Sequence, residues 1–392
     1  MKKIILSPGK EQSLKRGHPW IFSGAIGSMT ETPEEGECVA VYSRNNSCLG
    51  IGHYQTGTIA VRMIHFSYTE PVDGFWKRKF EKALYFRTMA GLHGKGNTNV
   101  FRIINAEGDG FPGLIVDFYN GSVVIQAHSV GMCRIIDQLA GVIRDVLPDN
   151  PVSIYDKSSP ALKSKSGVKR VSDHLEGDKD ETIVLENGKK FMVNWVEGQK
   201  TGFFIDQRDN RKLLEHYASG KKVLNMFGYT GGFSVYALSG GAGQVQTVDS
   251  SKKAIELAGE NIALNFPGDS RNRSFCSEVF DYFRASNQKH DIIILDPPAY
   301  AKSIRSKNNA LQAYKRLNAK AMEFVEVGGL LFTFSCSQVV SRESFRQAVY
   351  SAAIQSGREI RILHHLSQPP DHPVSIYHPE GEYLKGLVLQ LD

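Results

Sequence analysis

No stretch of the 392 residues approaches the roughly 20 consecutive apolar residues that a membrane-spanning helix requires. The N-terminal apolar run, Ile4-Ile5-Leu6, stops at Ser7-Pro8-Gly9-Lys10, too soon for the hydrophobic segment of a secretory leader. Cysteine is scarce and never occurs as Cys-x-x-Cys. The five residues Cys38, Cys48, Cys133, Cys276 and Cys336 are odd in number and scattered, which argues against a disulfide framework and a zinc site. Internal repeats and low-complexity tracts are also missing. These absences leave a cytoplasmic globular chain, with no membrane and no metal, as the expectation. A hydrophobic fraction of 41% and a charged fraction of 22% agree with it, and the length suits two to three domains.

The charge excess is only +6, a weak lean towards a polyanionic partner. Its distribution adds a little. Lys157, Lys163, Lys165, Lys169 and Arg170 lie between Asp156 and Asp173 with no acid among them, reading either as an RNA contact or as a solvated loop.

Residues 1 to about 68 contain short β-like runs broken by glycine, namely Cys38–Tyr42, Leu49–Tyr54 and Ile59–Ile64, which suggest a small barrel. Phe75 to Ala90 changes to a helical period. The middle region, 70 to 185, holds strands at Phe101–Ile104, Leu114–Tyr119, Ser122–Gln126 and Val152–Tyr155, and a helix over Met132–Val146. Asn120-Gly121 and Asn187-Gly188 signal tight hairpins. From about 209 the chain alternates helix and strand. The expected strands are Lys222–Phe227, Gln244–Asp249, Ser274–Val279, Asp291–Asp296 and Leu330–Cys336, with a final pair near 361–366 and 384–391. Such alternation predicts a parallel sheet with helices on both faces, closed by an antiparallel edge.

Four strand ends carry chemistry. The first runs into Asn225-Met226-Phe227-Gly228-Tyr229-Thr230-Gly231-Gly232, a turn whose glycines let backbone approach a ligand. The second ends in Asp249, suited to ribose hydroxyls. This turn lacks the Gly-x-Gly-x-x-Gly spacing of a dinucleotide site, so a nucleoside cofactor without phosphates fits better, and S-adenosylmethionine is the obvious choice. Asp296-Pro297-Pro298-Ala299-Tyr300 follows a buried run; its prolines remove two N–H donors and turn carbonyls towards a ligand, as the exocyclic amine of a flipped base would want. Forty residues on, Cys336 ends another such run. A carboxylate and a thiol at neighbouring strand ends suit covalent attack on an electron-poor ring carbon. His364-His365 and Asp371-His372-Pro373 lack further spaced ligands and read as structural.

The set Asn225-x-Phe227-x-Tyr229-Thr230-Gly231-Gly232, Asp249, Asp296-Pro297-Pro298 and Phe334-Ser335-Cys336-Ser337 resembles the class I S-adenosylmethionine-dependent RNA methyltransferases. Gly17-His18-Pro19-Trp20-Ile21-Phe22, the stretch Asn105 to Leu114, and Gln199-Lys200-Thr201-Gly202-Phe203-Phe204-Ile205-Asp206-Gln207-Arg208 extend the likeness. It covers the whole chain and narrows to the 23S ribosomal RNA cytosine-C5 methyltransferases that begin with a PUA domain.

That resemblance implies an α/β fold. A Rossmann-like class I methyltransferase domain with a seven-stranded, mostly parallel sheet would occupy 186–392, after an N-terminal PUA β-barrel at 1–68 and a small α/β middle domain at 70–185. It implies Cys336 as nucleophile at carbon 6 of cytosine and Asp296 as its hydrogen-bonding acid at N3. Phe204, Asp206 and Arg208 would flank the methionine end of S-adenosylmethionine; Asn225, Phe227, Tyr229 and Gly231 would line it, Asp249 hold its ribose, and Glu278 and Phe280 meet its adenine, with Pro297 alongside. Pro298, Tyr300 and Lys302 would face the base, and Tyr300 and Lys302 are candidates to remove the carbon-5 proton. Many relatives place a second cysteine near these prolines, where Ala299 stands here. The implied partner is 23S ribosomal RNA or a large-subunit precursor; a homodimer stays open. Two other readings also stay open: a ribosomal RNA guanine N7 or N2 methyltransferase needing no nucleophile, and a non-catalytic RNA-binding factor of the same fold.

Overall fold

The computed structural model describes residues 1–67, 73–94, 96–147, 151–158, 170–301 and 303–392. Lys163, Lys165, Lys169 and Lys302 lie outside them. The chain forms two compact units: one of 1–184, 193–205 and 370–381, the other of 185–192, 206–369 and 382–392. The expected 68/70 boundary thus falls inside one unit, and the expected 185/186 boundary falls within the hairpin Glu181–Glu186 and Lys189–Asn194.

The first unit holds a six-stranded and a five-stranded sheet. The six-stranded sheet contains the three expected strands and three more at Lys3–Leu6, Trp20–Phe22 and Ile26–Met29, too short to show a period. Its strands form a half-barrel, in keeping with the small N-terminal barrel expected. Asn120 and Gly121 take φ of 47° and 88°, the left-handed pair a two-residue hairpin requires. The expected helix at Met132–Val146 is broken into Val130–Arg134 and Ile136–Val146. Of the basic run, Lys157 donates through Nζ to Gly198 O at 2.6 Å, and Arg170 pairs with Asp156 and, at 2.9 Å, Asp137.

The second unit is an α/β sandwich. Its strands are β1 (Lys222–Met226), β2 (Gln244–Asp249), β3 (Asn272–Cys276), β4 (His290–Leu295), β5 (Val325–Ser335), β6 (Ile360–Ser367) and β7 (Lys385–Leu391). Its main helices are α1 (Arg208–Tyr217), α2 (Gly232–Ser239), α3 (Lys252–Asn265), α4 (Val279–Ala285), α5 (Lys307–Phe324) and α6 (Arg342–Ser356). The sheet order is β3-β2-β1-β4-β5-β7-β6, with β7 antiparallel to both neighbours. The central strands are apolar without alternation because helices cover both faces; Val223, Leu224 and Ile292 to Leu295 are essentially inaccessible. One expectation fails at β3. The strand stops at Cys276, and Val279, expected to end it, opens α4 instead.

Strand order reverses between β1 and β4, with β2 on one side and β5 on the other, so the carboxyl ends of these strands frame a crevice. No helix among the described residues is long and apolar enough to cross a membrane.

Candidate active site at the strand ends

The turn after β1 is wound against its residues' preferences. Phe227 and Tyr229 have φ of 59° and 43°, a left-handed backbone costly to side chains with a β-carbon. The local structure enforces it. Gly228 N donates to Val248 O at 3.0 Å, and a β-carbon on Gly228 would sit 2.5 Å from Thr247 Cγ2. Buried Asn261 braces the turn from α3, its Nδ2 donating to Thr230 O at 2.9 Å. Gly231, with φ 76°, then opens α2.

Asp249 completes this arrangement. Its Oδ2 accepts from Tyr229 N at 3.0 Å and its Oδ1 from Ser251 N at 2.9 Å, so the carboxylate is oriented by backbone on both sides. Asn225, expected to line the cofactor, is 1% exposed. Its Nδ2 donates to Ser234 Oγ at 2.9 Å, in a network through Thr247 beneath the turn. Glu278 and Phe280 are exposed around the start of α4, beyond β3.

Asp206 and Arg208 precede and begin α1 and are buried; Asp206 Oδ2 accepts from the Tyr383 hydroxyl at 2.7 Å. Phe204 belongs to the other unit, where Lys200 Nζ lies 4.8 Å from its ring centre.

β4 and β5 run parallel with Leu295 opposite Thr333, which carries Asp296 and Cys336 out at one edge. Cys336 is partly exposed, and its Sγ lies 3.8 Å from Pro297 O. Pro297 is buried and Pro298 exposed. Tyr300 is partly buried. Its ring packs on Tyr314 at 4.9 Å between centroids, and burial pushes its hydroxyl well above the ordinary range, so it is no base at neutral pH. Tyr314, on α5, is fully buried; burial raises its hydroxyl to about 12, and the negative charge of Cys336 and Asp296 adds to the rise.

Sequence reasoning missed Tyr383, Asn261, Tyr314 and Lys385. The last is 3% exposed at the start of β7, with Nζ donating to Ser337 O at 2.7 Å and to Val340 O at 2.5 Å. None of the four carries a sequence signal beyond the polarity of its side chain. Of the histidines, His364 Nε2 meets the Tyr217 hydroxyl at 2.8 Å and His372 Nδ1 meets Asp371 at 3.2 Å.

Residues 161–380 match the family model of S-adenosylmethionine-dependent methyltransferases. The chain belongs to that family. Residues 4–66 of this methyltransferase match a PUA-like domain. It is 40% identical, over 99% of both chains, to a protein from Pseudoalteromonas atlantica named ribosomal RNA large subunit methyltransferase I. An Escherichia coli protein of the same name is 34% identical over 99% of both. Among solved structures, a SAM-dependent methyltransferase from Streptococcus mutans superposes with a TM-score of 0.86 at 25% identity, covering 100% of both chains. A methyltransferase complexed with SAH matches equally, at a TM-score of 0.86 and 25% identity.

S-adenosylmethionine is therefore the cofactor of this methyltransferase, and the crevice fits it. The oriented Asp249 carboxylate suits a ribose diol, and the tightly wound turn brings backbone rather than side chains to the crevice.

Proposed function

We propose that this methyltransferase forms 5-methylcytosine in large-subunit ribosomal RNA through a covalent bond between Cys336 and carbon 6 of the base. One observation carries the reading: the partly exposed Cys336 thiol sits against the Pro297 carbonyl, at the strand end that also bears Asp296. A methyltransferase acting at a guanine nitrogen needs no thiol there. The relatives' name supports the ribosomal RNA substrate, and the PUA-like domain supports RNA as the partner.

Carbon 5 of cytosine is too weak a nucleophile to take a methyl group unaided. The Cys336 thiolate adds to carbon 6, and the electron pair of the 5,6 double bond moves onto carbon 5, with charge shared at N3. Asp296, acting as the acid, donates to N3 and offsets that charge. S-adenosylmethionine, when bound, supplies the electrophilic methyl group. Loss of the carbon-5 proton to a base then re-forms the double bond and expels Cys336 as thiolate. Asp206, Arg208, Phe227, Tyr229, Asp249, Glu278 and Phe280 are proposed for the cofactor, joined by Phe204, Gly231 and Pro297. Pro298 is proposed for the base. The buried amide of Asn225 supports the turn instead.

The test is tritium transfer from labelled cofactor to undermodified 23S ribosomal RNA, followed by bisulfite sequencing. One 5-methylcytosine, lost with Cys336→Ala, is expected. Label recovered at guanine, or full incorporation by that variant, would refute the proposal.

A further inference from the structure

A thiol with the ordinary pKa of about 8.5 is only a few per cent ionised at neutral pH, so an attacking cysteine needs a nearby positive charge. The Pro297 carbonyl at the end of β4 accepts from the Cys336 thiol and so favours its neutral form. Tyr314, facing it from α5, is neutral at this pH. One neighbour is cationic. Lys385 pairs in register with Ser335 across β5 and β7, and its ammonium is bound by the carbonyls of Ser337 and Val340, just beyond Cys336. We propose that Lys385 is a positioning residue for the methyl-transfer site: its buried ammonium holds the Ser337–Val340 turn and favours the thiolate of Cys336. This rests on the reading of Cys336 as nucleophile.

Three observations support it. First, the Lys385 ammonium donates to two neutral carbonyls, so its positive charge is not cancelled by a carboxylate bonded to it. The other charges near it, Arg342 and Glu382, are ion-paired with each other. Secondly, burial lowers Lys385 to about 8 while the Cys336 charge acts to raise it. Coupling between two titrating groups is reciprocal, so the ammonium favours the thiolate as much as the thiolate favours the ammonium. Thirdly, a lysine buried in this way costs stability that an apolar side chain would not, which points to a purpose other than folding.

The experiment measures iodoacetamide alkylation of the full chain from about pH 6 to about pH 9. The Cys336 peptide is quantified by mass spectrometry, and the exposed Cys48 and Cys276 serve as references in the same digest. Lys385→Gln keeps an amide donor for the carbonyls but removes the charge. It is expected to slow Cys336 alkylation about tenfold at pH 7, with the alkaline limiting rate unchanged, and to move the ascending limb of the kcat/KM profile to higher pH. Lys385→Arg should restore both. A Lys385→Gln variant titrating like wild type would overturn the proposal. Should Lys385→Gln fail to bind cofactor, wild type decides: a Cys336 midpoint below about 8.5 supports the proposal and one at or above it does not. Methylation retained by Cys336→Ala would instead remove the nucleophile reading while leaving these titrations as measured.

Discussion

The Cys336 thiol lies 3.8 Å from the carbonyl oxygen of Pro297, joining the ends of β4 and β5 at the edge where the crevice opens. Two residues 39 apart in sequence thus share one side of the site. The thiol is partly exposed and off the sheet, so its removal leaves the core intact. Cys336→Ala should therefore lose methylation by on the order of a thousandfold or more while binding S-adenosylmethionine within about twofold of wild type. Calorimetry alongside label transfer separates the two.

The Asp249 carboxylate is oriented by two backbone N–H groups and is proposed to hold the cofactor's ribose. On that proposal, Asp249→Ala would lose charge-assisted hydrogen bonds to the ribose, each about 1.5–3 kcal/mol, and free the turn at Tyr229. The cofactor Kd should rise roughly a hundredfold by calorimetry. An unchanged Kd would place the ribose elsewhere.

Gly228 is required by contact rather than by its backbone angle. A β-carbon there would lie 2.5 Å from Thr247 Cγ2. Gly228→Ala should cost about 1–3 kcal/mol and lower Tm by a few degrees, and cofactor affinity should fall because the same turn is displaced. Calorimetric melting with and without cofactor checks both.

Tyr383 ties Asp206 to the start of β7. Tyr383→Phe removes one hydrogen bond, about 1 kcal/mol, and should weaken cofactor binding about fivefold with little change in Tm. Equilibrium dialysis would detect it.

Lys385 also gives stability a pH dependence of definite sign. Its folded value is about 8 against 10.5 for an unperturbed lysine. Below about pH 8 it is charged whether folded or not, and the burial cost is fully present. Between the two values the unfolded chain holds a proton that the folded chain has released, so stability from this group rises with pH. Tm of Lys385→Gln minus that of wild type should therefore shrink from pH 8 towards alkaline pH. A constant difference would show that Lys385 does not titrate there.

The sheet was legible because buried parallel strands leave continuous apolar runs, as Ile292 to Leu295 and Leu330 to Phe334 do. Asp249, Asp296 and Cys336 were legible for the related reason that polar residues closing such runs emerge at one edge. β3, Asn272–Cys276, is an edge strand whose residues are only partly buried, so its period is weak and Val279 was drawn into it. Asn225 looked like a ligand because it stands at the glycine turn, but strand alternation turns its amide under α2 towards Ser234. Lys385 and Tyr314 could not be assigned from sequence, since a lysine before an apolar strand and a tyrosine within a helix are ordinary. Only the pairing of β7 with β5 and the packing of α5 bring them beside Cys336.

The most direct test offers the protein a 23S ribosomal RNA fragment carrying 5-fluorocytidine at the methylated position, with S-adenosylmethionine present. Fluorine cannot leave as a proton does, so a covalent adduct persists. The expected result is a denaturation-resistant protein–RNA complex whose modified peptide contains Cys336, absent from Cys336→Ala. Normal methylation of unsubstituted RNA by Cys336→Ala, or an adduct at another residue, would contradict the account.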